Sequence, residues 1–362
     1  MKKIFISITL SFLLPVIIFS QDIPSSLSKI EHNEMMNALK EDTLLAQFVT
    51  RFGDPEELFK NFKTSIQKAD SLYKYDQEHI RPFSNLGCTE HFKMLPLIDW
   101  FTSNDSLIGE AGVAYLIKTD DATILFDVGL NQYDSDPSPL LRNMKKLGIH
   151  LEDIDVIVIS HDHSDHIGGG KWYGKNTFSL TSHQINLGEK QILTPIQMTY
   201  PGLQPTFTPT PTKIAKGVAT IGVIPCPLFF ANTQEQAIAI NVKNKGIVIV
   251  SGCGHQTIEK IIQRTERLFI EPIYAFLGGY HLPLTEGRNI DKYYQYFLTN
   301  RLPWKPLRAS DVTNMIDLLK KKGIKFVGIS GHDSCDLSIT MFRDAFTDYY
   351  IDIVVGDKII FK

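Results

Sequence analysis

The sequence predicts an α+β fold in which short strands pass repeatedly into helices, preceded by a helical extension. Three observations lead there. Apolar, β-branched runs separated by Gly and Asp turn signals recur from Phe92 onward, which is the pattern of buried strands. Several of these runs end directly on an aspartate or a histidine, the strand-end position at which a rigid scaffold presents reactive groups. Residues 22 to about 90 read differently, with apolar residues at helical spacing and explicit helix starts.

Composition narrows the class. With 362 residues the chain can form one large domain or two. A hydrophobic share of 43% beside 21% charged residues excludes a disordered protein. A net charge of −3 supplies no basic surface for nucleic acid or anionic lipid. The expected partner is therefore a small-molecule substrate, and nothing in the composition sets an oligomeric state.

At the N-terminus, Lys2 and Lys3 precede an apolar stretch, Ile4–Phe19, that ends at Ser20-Gln21. A positive start, a short apolar run broken by Pro15 and a polar stop describe a secretory signal peptide over residues 1–20, cleaved near Ser20. The run is short for a membrane span, although an uncleaved anchor is the alternative. The mature protein is expected in the periplasm or outside the cell, without a stable membrane span. Cleavage removes Lys2 and Lys3 and takes the charge from −3 to −5. Cysteines at 88, 226, 253 and 335 leave disulfide pairing open.

Residues 21–90 form the expected helical extension. Ser25, Ser26 and Ser28 can cap a helical segment that runs from Leu27 to Phe52. Asp54-Pro55-Glu56-Glu57 starts another, with proline and acids in the first turn, continuing through Tyr75. The expected role is a structural pad, with a roof over the site or a partner surface as alternatives.

Residues 91–362 form the main domain. Met94–Trp100, Val113–Lys118 and Thr123–Asp127 read as strands, and Ser138–Leu147 as a capped helix stopped by Gly148. A short strand, Asp155–Ser160, leads into a histidine-rich loop, and Asn176–Thr181 reads as a further strand. Residues 193–216, rich in Pro and Thr, suggest an irregular loop or a hairpin edge. Val218–Ile224, Ala237–Val242 and Gly246–Ser251 restore strand character, followed by a helix over Gln256–Leu268 and a strand over Ile273–Leu277. The stretch 284–308 holds Tyr293, Tyr294, Tyr296, Phe297 and Trp304, which either shape a pocket or pack on the surface. An amphipathic helix, Ser310–Lys322, is closed by Gly323. A strand over Phe326–Ser330 and a hairpin of Ile351–Val355 with Lys358–Phe361 complete the chain.

The chemistry concentrates in His161-Asp162-His163-Ser164-Asp165-His166, followed by Ile167 and three glycines. The chain holds 11 histidines, and three of them fall within these six positions beside an aspartate. Imidazole and carboxylate together suit divalent transition ions. His161 and His163, two apart on an extended loop, can share one ion, while Asp165 and His166 serve a neighbour. Gly168–Gly170 allow the next segment to pack close beneath. His183 is isolated and reads as an ordinary polar residue.

This loop resembles the HxHxDH signature of the metallo-β-lactamase superfamily, and TILFDVG upstream resembles its strand-plus-aspartate motif. VSGCGH (Val250–His255), FLGGYHL (Phe276–Leu282) and GHDSC (Gly331–Cys335) resemble blocks of the dihydropterin–ribofuranosylaminobenzene phosphate synthase-like branch. The likeness covers about residues 91 to 362. It implies a four-layer αββα sandwich, two packed mixed sheets with helices outside and metals at one edge. It also implies that Asp127 lies beneath the metals, orienting ligand histidines. His255, His281 and His332 become ligand candidates from the later motifs. Cys253 is a less favoured ligand candidate than His255, and otherwise a near-site thiol or a small buried residue. Asp333-Ser334-Cys335 departs from the branch's Cys-Thr-Gly.

The expected cofactor is a pair of divalent ions, zinc first, with manganese or iron as alternatives. His161, His163 and His255 or His332 would hold one ion; Asp165, His166 and His281 or His332 the other. The reaction expected is metal-assisted hydrolysis of an ester, lactone, amide or phosphoester, with Asp165 also orienting the attacking water. A synthase-like transferase and an iron-dependent redox enzyme are the alternative activities.

Overall fold

The computed structural model describes residues 27–288 and 299–362. The expected signal segment, the capping candidates Ser25 and Ser26, and Tyr293, Tyr294, Tyr296 and Phe297 lie outside the described residues. Among the described residues, no helix is long and apolar enough to cross a membrane.

Three helices come first: α1 (Lys29–Glu41), α2 (Thr43–Thr50) and α3 (Pro55–His79). Ser28 opens α1 through a reciprocal capping box with Glu31. The expected single helical segment breaks at Asp42, which closes α1 and caps α2 by accepting from the Leu45 N–H at 2.9 Å. Asp54 caps α3, with Pro55 at its first turn. Buried faces of the three helices share a small core, with Met35, Leu45, Phe48, Phe59 and Phe62 packed on Phe229 of the main domain. Trp304 closes that core edge-on to Phe59, 5.1 Å between ring centres. It therefore packs against the extension.

The main domain continues with β1 (Phe92–Ile98), β2 (Ala114–Lys118), β3 (Thr123–Phe126), α4 (Pro139–Lys146), β4 (Val156–Val158), β5 (Gln191–Thr194) and β6 (Thr206–Phe207). There follow β7 (Thr212–Ala215), β8 (Val218–Thr220), β9 (Ile224–Pro227), β10 (Asn232–Glu235), β11 (Ile238–Val242) and β12 (Gly246–Ser251). Then come α5 (Ile258–Leu268), β13 (Ile273–Gly278), α6 (Ala309–Lys321), β14 (Phe326–Ile329), α7 (Asp336–Phe346) and β15 (Ile359–Phe361). One sheet runs β15-β1-β2-β3-β4-β5-β6 and the other β14-β13-β12-β11-β8-β7, with β9 and β10 as a separate hairpin.

Apolar faces of both sheets meet in one core, from Phe92, Tyr115 and Phe126 on one side to Ile240, Val250 and Leu277 on the other. Helix α4 covers the outer face of the first sheet. Helices α5, α6 and α7 cover the second. The architecture is the four-layer αββα sandwich, since each amphipathic layer buries its apolar face on the next.

Register decides where the functional loops gather. In the first sheet β3, β4 and β5 run parallel, with Phe126 opposite Val158 and Val158 opposite Leu193. In the second, β12, β13 and β14 run parallel, with Ser251 opposite Gly278 and Gly278 opposite Ile329. The residues after these strand ends, Asp127, His161, Cys253, His281 and His332, thus emerge side by side. Ligands commonly bind at the carboxyl ends of parallel strands.

Two expectations change. Asn176–Thr181 is not a strand: Ser179 bonds to Ile167 and Thr199 bonds back to Asn176, one partner each, so no ladder forms. The closing hairpin is also absent. Ile351 donates to Val327 in one sheet, Val355 donates to Phe101 beside the other, and β15 pairs antiparallel with β1. The proline-rich stretch 193–216 is, as expected, loop and hairpin edge: beyond the end of β5 it contributes the short edge strands β6 and β7, and β7 pairs antiparallel with β8.

Candidate metal centre

Asp127 ends β3, fully buried. It accepts from the Ser160 N–H at 2.6 Å and from the Ser160 hydroxyl at 2.7 Å. Its Oδ2 is also 2.7 Å from His166 Nδ1. Because Ser160 gives its only hydroxyl proton to Asp127, His161 Nδ1, 2.8 Å away, must donate to Ser160. His161 is thereby fixed with Nδ1 protonated and Nε2 bare, while His166 is held through Nδ1 so that Nε2 faces the cluster, the arrangement that partners impose on metal-binding histidines.

A second relay mirrors the first. Ser330, after β14, donates to Asp99 at 2.5 Å and lies 2.5 Å from His332 Nδ1. Asp99, buried after β1, also accepts from the Tyr115 hydroxyl at 2.7 Å and the Gly331 N–H at 2.9 Å. His332 Nε2 is left bare by the same logic. Sequence reading passed over Ser160, Asp99 and Ser330. A signal was present: VISH (Val158–His161) and GISGH (Gly328–His332) both place Ile-Ser just ahead of a histidine.

The ring nitrogens converge. His163 Nδ1 lies 3.1 Å from His161 Nε2 and 3.2 Å from His255 Nε2. Beside this trio, Cys253 Sγ is 3.1 Å from His166 Nε2 and 3.2 Å from His332 Nε2. Asp165 Oδ2 is 3.4 Å from His166 Nε2 and 4.0 Å from His332 Nε2. Donor atoms of Asp165, His166, Cys253 and His332 all lie within 4.8 Å of one another, as do those of His161, Cys253 and His255. Cys253 belongs to both sets and sits among the donors, where a purely supporting residue would sit behind them.

His281 adopts φ +51° and lies with Cys253 and Asp333 in a third group. Both of its ring nitrogens are buried without a hydrogen-bond partner among the described residues. Asp333 was not anticipated as part of the site; its Oδ2 accepts from the His281 N–H at 2.8 Å. Glu235, at the end of β10, was missed as well. It accepts from the N–H groups of Cys253 (2.9 Å), Gly254 (2.9 Å) and His255 (2.8 Å), clamping the turn that carries two donors. Nothing in its sequence neighbourhood marks it. Burial pushes this carboxyl up to about 7 against those three hydrogen bonds.

Electrostatics fit a cation. Burial first, and then neighbouring imidazoles, hold His161 and His255 far below the ordinary histidine range, so both are neutral. His281 is held down to about 3 by burial and by His163. Burial opposes ionisation of Asp165, yet His166, His332 and His163 outweigh it and keep the carboxylate charged. Burial likewise disfavours a charged His166, but Cys253, Asp165 and Asp127 overcome it and raise the imidazole well above its usual value. Neutral imidazoles at His161 and His255, a carboxylate, a thiol and a His166 whose surroundings favour positive charge form a donor set suited to divalent metal. The unpartnered nitrogens of His281 point the same way.

Of the three glycines, Gly168 (φ +89°) and Gly169 (φ +116°) combine a positive φ with a close approach, since a Cβ would lie 1.9 Å from the Ser179 carbonyl oxygen at the first and 2.7 Å from the Leu130 carbonyl oxygen at the second. Gly170, expected to share that role, has open space. His183 lies at the surface, 3.4 Å from Asp136. The four cysteines are all free thiols.

The family model of the metallo-β-lactamase superfamily matches residues 107–178, which include the whole histidine loop. Over that stretch the chain is similar to the metallo-β-lactamase superfamily. Among characterised relatives it is similar to the 7,8-dihydropterin-6-methyl-4-(β-D-ribofuranosyl)-aminobenzene-5′-phosphate synthase of Methanocaldococcus jannaschii. Identity is 23% over 321 residues, spanning 76% of this chain and 99% of the relative. It is also similar to an N-acyl homoserine lactonase of Agrobacterium fabrum, 29% identical over 102 residues, 23% of this chain and 36% of that one. A solved structure described as a metal-dependent hydrolase of the β-lactamase superfamily superposes with a TM-score of 0.50 at 19% identity. It covers 74% of this chain and 98% of the other, a likeness of fold.

Proposed function

We propose that this protein is a member of the metallo-β-lactamase superfamily and an exported metal-dependent hydrolase acting on an ester, lactone, amide or phosphoester. The observation that carries the reading is the placement of Cys253 in two adjacent donor sets, which together suit two divalent ions. His161, His163 and His255 would hold one ion, and Asp165, His166 and His332 the other, with Cys253 between them and His281 facing the pair. The mixed nitrogen, sulfur and oxygen donors favour zinc. When bound, such a pair supplies a water activated at neutral pH and an electrophile for the substrate oxygen.

The chain's own residues do the rest. Asp165, held ionised by its imidazole neighbours, accepts a proton-side hydrogen bond from the attacking water and orients it. Asp127 with Ser160, and Asp99 with Ser330, hold three imidazoles so that Nε2 faces the cluster. Glu235 keeps Cys253 and His255 on one rigid turn.

The test is elemental analysis of the full-length protein beside His163→Ala, followed by a panel of esters, lactones and phosphodiesters. About two zinc ions per chain, diminished in the variant, with turnover of at least one class, is the expected result. No metal after reconstitution overturns the reading. A second reading, a synthase-like transferase, is favoured by the 23% likeness that spans 99% of the archaeal synthase. Turnover confined to a phosphoribosyl-type donor would select it. Export rests on residues 1–20, and a mature N-terminus beginning near Gln21 tests it.

A further inference from the structure

The cavity above the donor cluster has a volume of about 370 Å³, and its floor and walls differ sharply. The floor is the imidazole, carboxylate and thiol set. The walls are apolar and come from Phe52, Leu130, Tyr173, Leu228, Phe230 and Pro283. Phe52 follows α2 and belongs to the extension, so the expected structural pad also reaches the site.

Two wall rings form a pair. Phe52 and Phe230 lie 4.4 Å apart between centres, tilted by 42°. Phe48 supports both, at 5.5 Å from Phe52 and edge-on to Phe230 at 5.7 Å. Behind them Phe229 packs edge-on to Phe230 at 4.8 Å and anchors the β9–β10 hairpin in the core of the extension. The same hairpin reaches the metal loop, where Thr233 donates to Asp162 at 3.1 Å, and the Cys253 turn through Glu235. The aromatic wall and the donor cluster are thus parts of one rigid piece. Yet Phe52 remains 47% exposed and Tyr173 53%, a large apolar surface presented to a cavity. Apolar walls over a few convergent polar groups characterise small-molecule sites.

Charge narrows the ligand further. Among the described residues, no lysine or arginine lines this cavity. The nearby Arg288 donates to the Gly331 and Ser334 carbonyl oxygens and pairs with Asp336 at 2.8 Å, so its guanidinium is committed within the protein.

We infer that the extension makes this site selective for substrates bearing an uncharged aromatic ring beside the scissile bond, the ring seated against Phe52 and Phe230. The inference rests on the hydrolase reading for the bond that is cut, but not for the ring site itself. Ring-on-ring packing adds attraction beyond buried area and favours a flat aromatic group over a saturated one of equal size.

The experiment uses the full-length, metal-loaded protein and measures equilibrium binding of 2-naphthol, its saturated analogue decahydro-2-naphthol, and 6-hydroxynaphthalene-2-sulfonate, which carries its charge on the ring. Turnover of 2-naphthyl acetate is followed in parallel. The expected result is 2-naphthol tightest of the three, with a loss of about tenfold in Phe52→Ala at unchanged metal content. Phe52→Leu, which keeps apolar volume without the ring, guards against a folding artefact and should also weaken 2-naphthol selectively. Unchanged 2-naphthol binding in both variants overturns the inference, as does decahydro-2-naphthol or the ring sulfonate binding as tightly as 2-naphthol. Ring binding that depends on Phe52 without any ester turnover supports the aromatic site and counts against the hydrolase reading.

Discussion

A single methyl group at residue 252 tests the relay beneath the metals. A Cβ added to Gly252 would lie 2.2 Å from the Ser160 hydroxyl oxygen, 2.7 Å from Ser160 Cβ and 3.2 Å from Asp127 Oδ2. Such a contact cannot persist, and Ser160 has no cheap escape. Rotating the hydroxyl away forfeits its 2.7 Å bond to the buried Asp127 carboxylate and its 2.8 Å contact with His161. A hydrogen bond to a charged group contributes about 1.5–3 kcal/mol, and overpacking a close-packed site costs about 1–3 kcal/mol. Gly252→Ala is therefore expected to lower stability by about 3 kcal/mol or more, a large part of the roughly 5–15 kcal/mol of a typical domain. Metal affinity should fall with it, because His161 loses the partner that fixes its tautomer.

Denaturant unfolding at constant slope measures the first effect, and competition with a chromophoric chelator the second. Gly170→Ala is the control, since a Cβ there meets nothing within 4 Å; about 0.5 kcal/mol or less is expected. The Ser160→Gly background supplies the decisive comparison. If the clash is the cause, Gly252→Ala should be much less harmful once the Ser160 side chain is gone. Equal losses in both backgrounds, or a Gly252→Ala protein as stable as wild type, would refute the reasoning.

Two further outcomes follow from the same geometry. Ser330→Ala removes the link between Asp99 and His332, so metal affinity at the ion held by His332 should drop about 10–100-fold, read by chelator competition with Ser160→Ala alongside; unaltered affinity would show that the relay has no orienting role. Glu31 is lowered to about 2, chiefly by its hydrogen bond with Lys63 and then by Ser28. A depressed carboxylate stabilises fully above its unfolded value and less as pH falls, so its hold of α1 on α3 should be complete above about pH 4.5 and lost toward pH 2. Amide exchange in α1, compared with Glu31→Gln, should differ at pH 5.5 and converge below about pH 2.

What the sequence determined by itself is what local chemistry can specify. Four of the expected ligands lie within 161–166, so a strand followed by one short loop was enough to announce a metal site. Ser28, Asp54-Pro55 and Ser138 act within one helical turn, and each caps the helix it precedes. Asp127 was legible because its strand ends in a recognisable motif.

Tertiary structure decided everything that needs two distant strands to meet. Asp99 and Ser330 are separated by 231 positions, and only the packing of one sheet on the other makes them a relay to His332. Cys253 reads equally as core filler or donor until parallel register sets its turn beside the ends of β13 and β14. Glu235 carries no motif, because its role is to accept three N–H groups of a turn 18 to 20 residues away. Phe52 looks like the end of an amphipathic helix, and only the docking of the extension on the β9–β10 hairpin turns its ring toward the cavity. Caps and ligand loops act within a few residues, where sequence order is spatial order. Sheet packing is non-local, and there the physics of burial chooses the neighbours.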